Sequence, residues 1–338
     1  MRQDLLVKSL TMEDFKNKNI LVTGGSGFVG TNLLKKLLAS DANLFATTYR
    51  SSPVITNDRI KYLEADLRKT KDCRSVAKGM DLVFMCAANT SGAKVMSTTP
   101  LVHLTPNVLM NMQMLESAYE AGVEKFLFIS TNTVYPLTDT PVKENDVTNE
   151  FYDSYHIVAW MKRFTEIVCD MYSSKIKNPM KTIVIRPGNL YGPYDKFDWE
   201  KSKVIPALIR RAIEKHDPYE VWGDGNDLKD FLYIDDFIDA LVLSMKKLNN
   251  PSPLNIASGI PVTIKDVLSE ILIATEYQDA NIKYDITKPS MIPKRLIDIE
   301  LSRSLLSFNP RTSLSAGIKK TVAWYRDYYS NTTPEENK

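Results

Sequence analysis

NILVTGGSGFVGTNLLKKLL, residues 19–38, passes from an apolar, β-branched run through three regularly spaced glycines into a segment whose apolar residues recur at helical intervals. That order reads as strand, tight turn, helix. Gly24 permits the turn, Gly27 lets backbone approach a pyrophosphate, and Gly30 allows the helix to pack closely on the strand. Ser26, Phe28 and Val29 complete the loop, and the helix N-terminus behind it supplies N–H donors and a partial positive charge. The stretch therefore predicts a dinucleotide site at the first strand-to-helix crossover.

Working outward, short apolar runs alternate with helical patterns through the first half: LFATTY (44–49), IKYLEA (60–65), LVFMCAA (82–88) and KFLFIS (125–130), with helices expected at 28–38, 73–79 and 107–121. Runs of this kind are strands buried on both faces, so the fold class expected is α/β, a doubly wound parallel sheet. TIVIRPGNLYG (182–192) reads as one more strand of that sheet. Beyond it come helices at 204–214, 235–247 and 263–275, separated by Gly/Pro-rich segments. The expected organisation is an N-terminal extension (1–18), a dinucleotide-binding Rossmann domain (19–190), a smaller C-terminal α/β substrate lobe (191–330) and a disordered tail (331–338).

Composition narrows the class. The 338 residues are 43% apolar and 25% charged, with 43 basic against 41 acidic side chains, so there is no polybasic footprint for nucleic acid or a membrane surface. No run approaches the ~18–20 apolar residues that cross a bilayer. The first eighteen residues intersperse charges among apolar positions, unlike a secretory leader, and the expected location is the cytoplasm. Cys73, Cys86 and Cys169 are too few and too scattered for a disulfide framework or a zinc site, so no metal is expected. The partners left are a small molecule and a second copy of the chain.

The end of the second strand chooses between cofactors. An acid there would hold the ribose 2′-hydroxyl, and an arginine would accept a 2′-phosphate. The sequence has ATTYRSS, without an acid and with Arg50, which favours NADP(H) and leaves NAD(H) open. Further along, Asp66 and Leu67 are placed beside the adenine, and Ala87 and Ala88 are small enough to let a strand end touch the cofactor.

Together with the glycine loop, the motifs AANTSG, STNTVYP, RPGNLYGP, VIPALIRR, VWGDGNDLKDFLYIDD and NIASG, spread from Asn19 to about Tyr328, resemble the extended short-chain dehydrogenase/reductases that act on nucleotide-linked sugars. The closest likeness is to the GDP-L-fucose synthase group. It implies a GDP-linked or similar substrate and NADP(H). Position by position it implies that Thr131 binds the sugar's reacting oxygen, that Asn107 braces the active-site helix, and that Asn189 contacts the nucleotide diphosphate. Arg211 and Lys229 fall at phosphate-gripping positions, and Thr133, Lys203 and Trp222 at further substrate positions. Lysine stands for arginine at 229, a point charge in place of a bidentate fork.

The departures from the family pattern carry as much. The acidic pair of the dehydratases is replaced by Asn132 and Thr133, and the cysteine and histidine of the 3,5-epimerising members by Thr133 and Lys203. Elimination and 3,5-epimerisation lose their usual agents, and hydride transfer remains. The family's YxxxK pair is also broken in YDSYHIVAWMK (152–162). Counting from Tyr155, the lysine position holds Ala159; counting back from Lys162, the tyrosine position holds Val158. Seven residues return a helix to within ~20° of one face at a rise of ~10.5 Å, so Tyr155 and Lys162 can share a cleft. Thr131, Tyr155 as proton donor and Lys162 as ribose contact are the candidate catalytic residues. The expected reaction is NADPH-dependent reduction of a 4-keto sugar on a nucleoside diphosphate. A 4-epimerase or 4-dehydrogenase with retained cofactor, and a catalytically silent binding protein, stay open. Family members commonly pair through the helices at 107–121 and 155–172, and the methionine-rich VLMNMQMLESAYEAG is the face expected to serve a homodimer.

Overall fold

The computed structural model describes residues 12–90, 95, 98–288 and 292–330. The expected disordered tail, residues 1–11 of the N-terminal extension, and Ser91 and Gly92 of AANTSG lie outside them. Seven strands form one sheet in which every pairing is parallel: β1 (Asn19–Val22), β2 (Asn43–Thr48), β3 (Ile60–Glu64), β4 (Leu82–Met85), β5 (Lys125–Ile129), β6 (Lys181–Pro187) and β10 (Leu254–Ile256). Their order is β10-β6-β5-β4-β1-β2-β3. The chain winds one way from β1 through β2 to β3 and the other way from β4 onward, so a crevice opens between the carboxyl ends of β1 and β4.

The alternation of side chains along each strand explains the continuous apolar runs. Ile20, Val22, Phe84, Leu127, Ile183 and Ile185 pack in one core with α1 (Phe28–Leu37) and α6 (Ile234–Lys247). Their neighbours Leu21, Val83, Met85, Phe126, Phe128 and Val184 pack on the other face with α2 (Thr70–Ala77), α3 (Leu104–Glu120) and α4 (His156–Asp170). Covered on both sides, the central strands have no polar face to show, whereas the edge strand β3 exposes Lys61 and Glu64. β4 stops short of the expected end of LVFMCAA because the Cys86 and Ala87 N–H groups both donate to Thr23 Oγ1 at 3.0 Å, which pins the strand end onto β1.

TIVIRPGNLYG was expected in the main sheet as one strand, and the structure divides it. β6 ends at Pro187, and β7 (Asn189–Tyr191) pairs instead with β9 (Leu228–Tyr233) in a second sheet of order β11-β9-β7, with β11 at Pro261–Thr263. Gly188 is the junction: its N–H still donates to Ile256, but a Cβ there would sit 3.2 Å from Ala257 Cβ and 3.2 Å from Asp230. A parallel pair, β8 (Tyr219–Trp222) with β12 (Ile282–Asp285), and helices α5 (Val204–Ile213), α7 (Ile264–Thr275), α8 (Glu300–Leu306) and α9 (Leu314–Ser330) complete the second half.

That half is fastened beside the crevice by polar contacts. Asn32 of α1 donates to Pro193 O at 3.0 Å, and Lys196 donates to Thr90 O at 2.8 Å, just after β4. The three cysteines are free, Cys73 and Cys169 fully buried. Among the described residues no helix is long and apolar enough to cross a membrane.

Candidate active site

The glycine loop forms a cradle that fits a pyrophosphate. Gly24 has φ +67°, and a Cβ on it would lie 2.9 Å from Ala87 Cα, so the first turn and the end of β4 touch through backbone. A Cβ on Gly30 would overlap the Gly24 carbonyl. Gly27 is the N-cap of α1 and offers no side-chain cap, which leaves the first-turn N–H groups, including those of Phe28 and Val29, to an anion. Ala87 is half-buried at this edge and Ala88 is exposed.

At the outer rim, Asp66 and Leu67 are both buried after β3. Asp66 is gripped by Arg68, Nε to Oδ1 at 2.7 Å and Nη2 to Oδ2 at 2.8 Å, and these bonds draw its carboxyl down to about 2. Arg68 also donates to the Tyr49 hydroxyl at 2.8 Å, and Arg50 lies 5.2 Å from the Tyr49 ring centroid. Arg68 is thus spent on Asp66, whereas Arg50 has no carboxylate partner among the described residues. The sequence reading missed Arg68; the short DLR spacing was its only signal.

The reacting edge is built by β5 and α4. Thr131 follows β5, and its Oγ1 lies 3.1 Å from Thr133 Oγ1 and accepts the Thr133 N–H at 3.2 Å. Asn132 points away and donates to Pro187 O at 2.8 Å. Lys162 reaches from the middle of α4 to donate to Ile129 O at 2.7 Å, with its ammonium 4.7 Å from the Phe128 ring centroid. Burial pulls its pKa down to about 8. Ala159 is buried against Val134 and Tyr135, while Val158 is half-buried. Tyr155 is the N-cap residue of α4; burial first, and then Asp227 across the cleft, push its hydroxyl up to about 12. No hydrogen bond joins Tyr155 to Lys162 among the described residues, so the structure does not bring these two together as a pair.

Two buried groups hold this edge in place. Glu166, one turn after Lys162, takes hydrogen bonds from Ser130 Oγ (2.5 Å), Arg186 (2.9 and 2.7 Å) and Arg163 (3.1 Å). Asn107 accepts from Asn89 N at 2.8 Å and so steadies the loop after β4. It is Asn111, one turn on, that reaches α4, through Thr165 at 3.1 Å.

The facing wall is basic. Lys203 is the N-cap residue of α5, with its ammonium 6.0 Å from the Phe28 ring centroid, so the second half begins against the glycine loop. Asn189 donates to Asp230 O at 3.0 Å. Lys229 donates to Asp227 Oδ2 at 3.1 Å and to Ile292 O, and burial lowers its pKa. Beside it Arg295, 2% exposed, donates to the carbonyls of Tyr135 and Pro136, while its Nε finds no partner among the described residues. Burial draws that guanidinium down to about 10, and the sequence reading passed over it because nothing local marks it. A cleft of about 540 Å³ is lined by Trp199, Arg211, His216, Asp217, Pro218 and Glu220. Arg210 and Arg211 lie 4.4 and 5.3 Å from the Trp199 ring, and Trp222 donates to Glu220 at 2.8 Å. The described residues include no cluster of metal-ligating side chains.

A parallel sheet whose first crossover is a glycine-rich turn into a helix N-terminus, together with a second half that buries several cations, defines a dinucleotide-dependent α/β enzyme. The chain belongs to the NAD dependent epimerase/dehydratase family, whose model matches residues 20–257. It is 31% identical over 325 residues to GDP-L-fucose synthase 1 of Arabidopsis thaliana, covering 92% of this chain and 94% of that protein. It is 26% identical over 330 residues to a dTDP-4-dehydro-6-deoxy-D-allose reductase from Streptomyces, covering 94% and 99%. Among solved structures, the UDP-glucose 4-epimerase of Thermotoga maritima superimposes with a TM-score of 0.83 at 24% identity, over 92% of this chain and 99% of that one. The family resemblance drawn from the motifs is borne out.

Proposed function

We propose that this protein is an NADPH-dependent reductase of a 4-keto sugar carried on a nucleoside diphosphate, with GDP the favoured nucleotide, and that it does not epimerise C3 or C5. The observation that carries this reading is the hydrogen bond from the Lys162 ammonium to the Ile129 carbonyl at the end of β5, the strand that runs on into the Thr131–Thr133 hydroxyl pair, with Asn132 turned away. That wall can hold a carbonyl oxygen and supply a proton to it. The positions that would need a carboxylate or an imidazole for elimination or epimerisation lack them.

The bound cofactor would supply a hydride. The glycine cradle holds its pyrophosphate, Arg50 its 2′-phosphate, and Lys162 its nicotinamide-side ribose. Across the cleft Arg211, Lys229 and Arg295 bear on the substrate's diphosphate, with Asn189 beside them, Lys203 at the mouth, and Trp199 and Trp222 offering faces to the base. The cleft lined by Trp199 and Arg211 is within the size range of small-molecule sites. Loss of NADPH absorbance in a single turnover with a 4-keto GDP-sugar tests the reading. Failure of the folded chain to bind NADPH or NADH would overturn it.

Arg50→Ala is expected to weaken NADPH binding by about ten- to a hundredfold, the worth of one or two charge-assisted hydrogen bonds, and to leave NADH within about threefold. Equal losses for both cofactors, measured by fluorescence titration, would remove Arg50 from the 2′-phosphate.

We also propose a homodimer through α3 and α4. The methionines expected to form its face turn inward, Met114 to full burial and Met110 and Met112 to the edge of the core. The outward apolar residues are Leu109, Trp160 and Phe164, 39%, 42% and 44% exposed. Burying them against a second copy removes water from two aromatic rings per chain. Phe164→Glu is expected to give a monomer by sedimentation velocity, whereas an unchanged sedimentation coefficient would place the interface elsewhere.

A further inference from the structure

Resting on the reductase reading above, we propose that Lys162 itself gives the proton to the carbonyl oxygen, the task for which the family's motif places a tyrosine one helical turn earlier and for which this chain has Val158. Thr131 and Thr133 hold that oxygen or relay the proton to it.

Three observations carry this. The first is the vacancy: Val158 is a half-buried hydrocarbon with no proton to exchange, and Ala159, the lysine position counted from Tyr155, is sealed into the core. Tyr155 stands before the helix proper with no cation hydrogen-bonded to it among the described residues, and both its burial and Asp227 disfavour release of its proton. The second is the setting of Lys162. Among the described residues, the titratable groups that face it are Glu166 and Cys169 on its own helix and Cys86 after β4. Glu166 is already taken by Ser130, Arg163 and Arg186, and burial keeps both thiols protonated, Cys86 at about 12. Among the described residues the ammonium is left with one carbonyl, Ile129 O, and the face of Phe128. With its pKa near 8 it is charged at neutral pH and still a competent acid, the condition for efficient proton transfer. The third is the hydroxyl pair, 3.1 Å apart, on the same strand end as the lysine's carbonyl partner.

The step balances without any other group. As hydride reaches the carbonyl carbon from a reduced nicotinamide dinucleotide, the C=O π pair moves onto oxygen. An O–H bond forms to the proton of Lys162 as its N–H bond breaks. Nζ is left as a neutral amine and regains its proton from water.

The test combines kinetics with a measurement that needs no turnover. In the cofactor-free wild type, the pH dependence of Lys162 acylation, followed by peptide mass spectrometry, is expected to show a midpoint near pH 8; a midpoint above about 10, the ordinary lysine value, would overturn the proposal. Lys162→Arg keeps the charge but cannot release a proton. It is expected to bind NADPH within about fivefold of wild type and to lose about 10³-fold in the single-turnover rate. In Tyr155→Phe a loss of less than tenfold is expected. A loss as deep as that of Lys162→Arg would pass the role to Tyr155, and retention of more than a tenth of the wild-type rate by Lys162→Arg would refute the proposal while leaving the reductase reading intact. Wild-type protein that binds NADPH but turns over no 4-keto nucleotide sugar would overturn both.

Discussion

Arg186→Met is expected to destabilise the protein by about 3–5 kcal/mol, the usual cost of leaving one member of a buried ion pair without its partner. Arg186 and Glu166 are each 1% exposed in their side chains, with the closest approach 2.7 Å. The guanidinium also donates to the Tyr135 hydroxyl at 2.9 Å and to Glu144 O at 2.8 Å. Burial opposes its charge most strongly, but the hydrogen bonds and charge of Glu166, together with Tyr135, outweigh burial and hold its pKa above the ordinary arginine value. Methionine in its place removes those donors and strands a carboxylate whose remaining partners are Ser130 and Arg163. The double variant Glu166→Leu with Arg186→Met should recover much of the loss, because both members of the buried pair are then gone together and Glu166 is no longer stranded. Urea unfolding of both proteins reads the effect; a single-variant cost below about 1 kcal/mol would mean that the pair is not the anchor of this region. Activity should fall with stability, since Ser130 precedes Thr131 and Glu166 follows Lys162 by one turn.

Gly30→Ala should cost the cradle about a hundredfold in dinucleotide affinity, some 2.7 kcal/mol. The new Cβ would overlap the Gly24 carbonyl and come within 2.9 Å of its carbon, so the first turn must move away from the position that receives the pyrophosphate. Gly79→Ala is the control. Gly79 also has a positive φ, +74°, but nothing lies within 4 Å of its added Cβ. It should bear only the ~1–2 kcal/mol backbone strain of a left-handed residue and bind cofactor as wild type does. Circular dichroism of both variants separates a displaced loop from an unfolded one. Equal affinities in Gly30→Ala and wild type, by NADPH fluorescence, would take the pyrophosphate away from this loop.

The glycine loop and the order of strands and helices were legible because their causes are local. Gly24 sits at φ +67°, a conformation that glycine adopts without strain, and that preference belongs to the residue itself. A strand covered on both faces reads as a nearly unbroken apolar run, which is why the central strands could be placed to within a few residues. The division at Gly188 was not legible, since both halves of TIVIRPGNLYG are equally good strands and only the close approach of Ala257 and Asp230 decides where the second sheet starts.

The sequence by itself determined the dinucleotide cradle, the parallel sheet and the broken tyrosine–lysine spacing, each a property of neighbouring residues. Tertiary structure alone decided which charges are spent and which are free. Arg295 meets the Tyr135 carbonyl across 160 residues, Arg186 meets Tyr135 across 51, and Lys162 meets Ile129 across 33. The reason is physical: a lysine's acidity depends on how much water and opposite charge surround it, and those neighbours arrive from other elements only when the chain has folded.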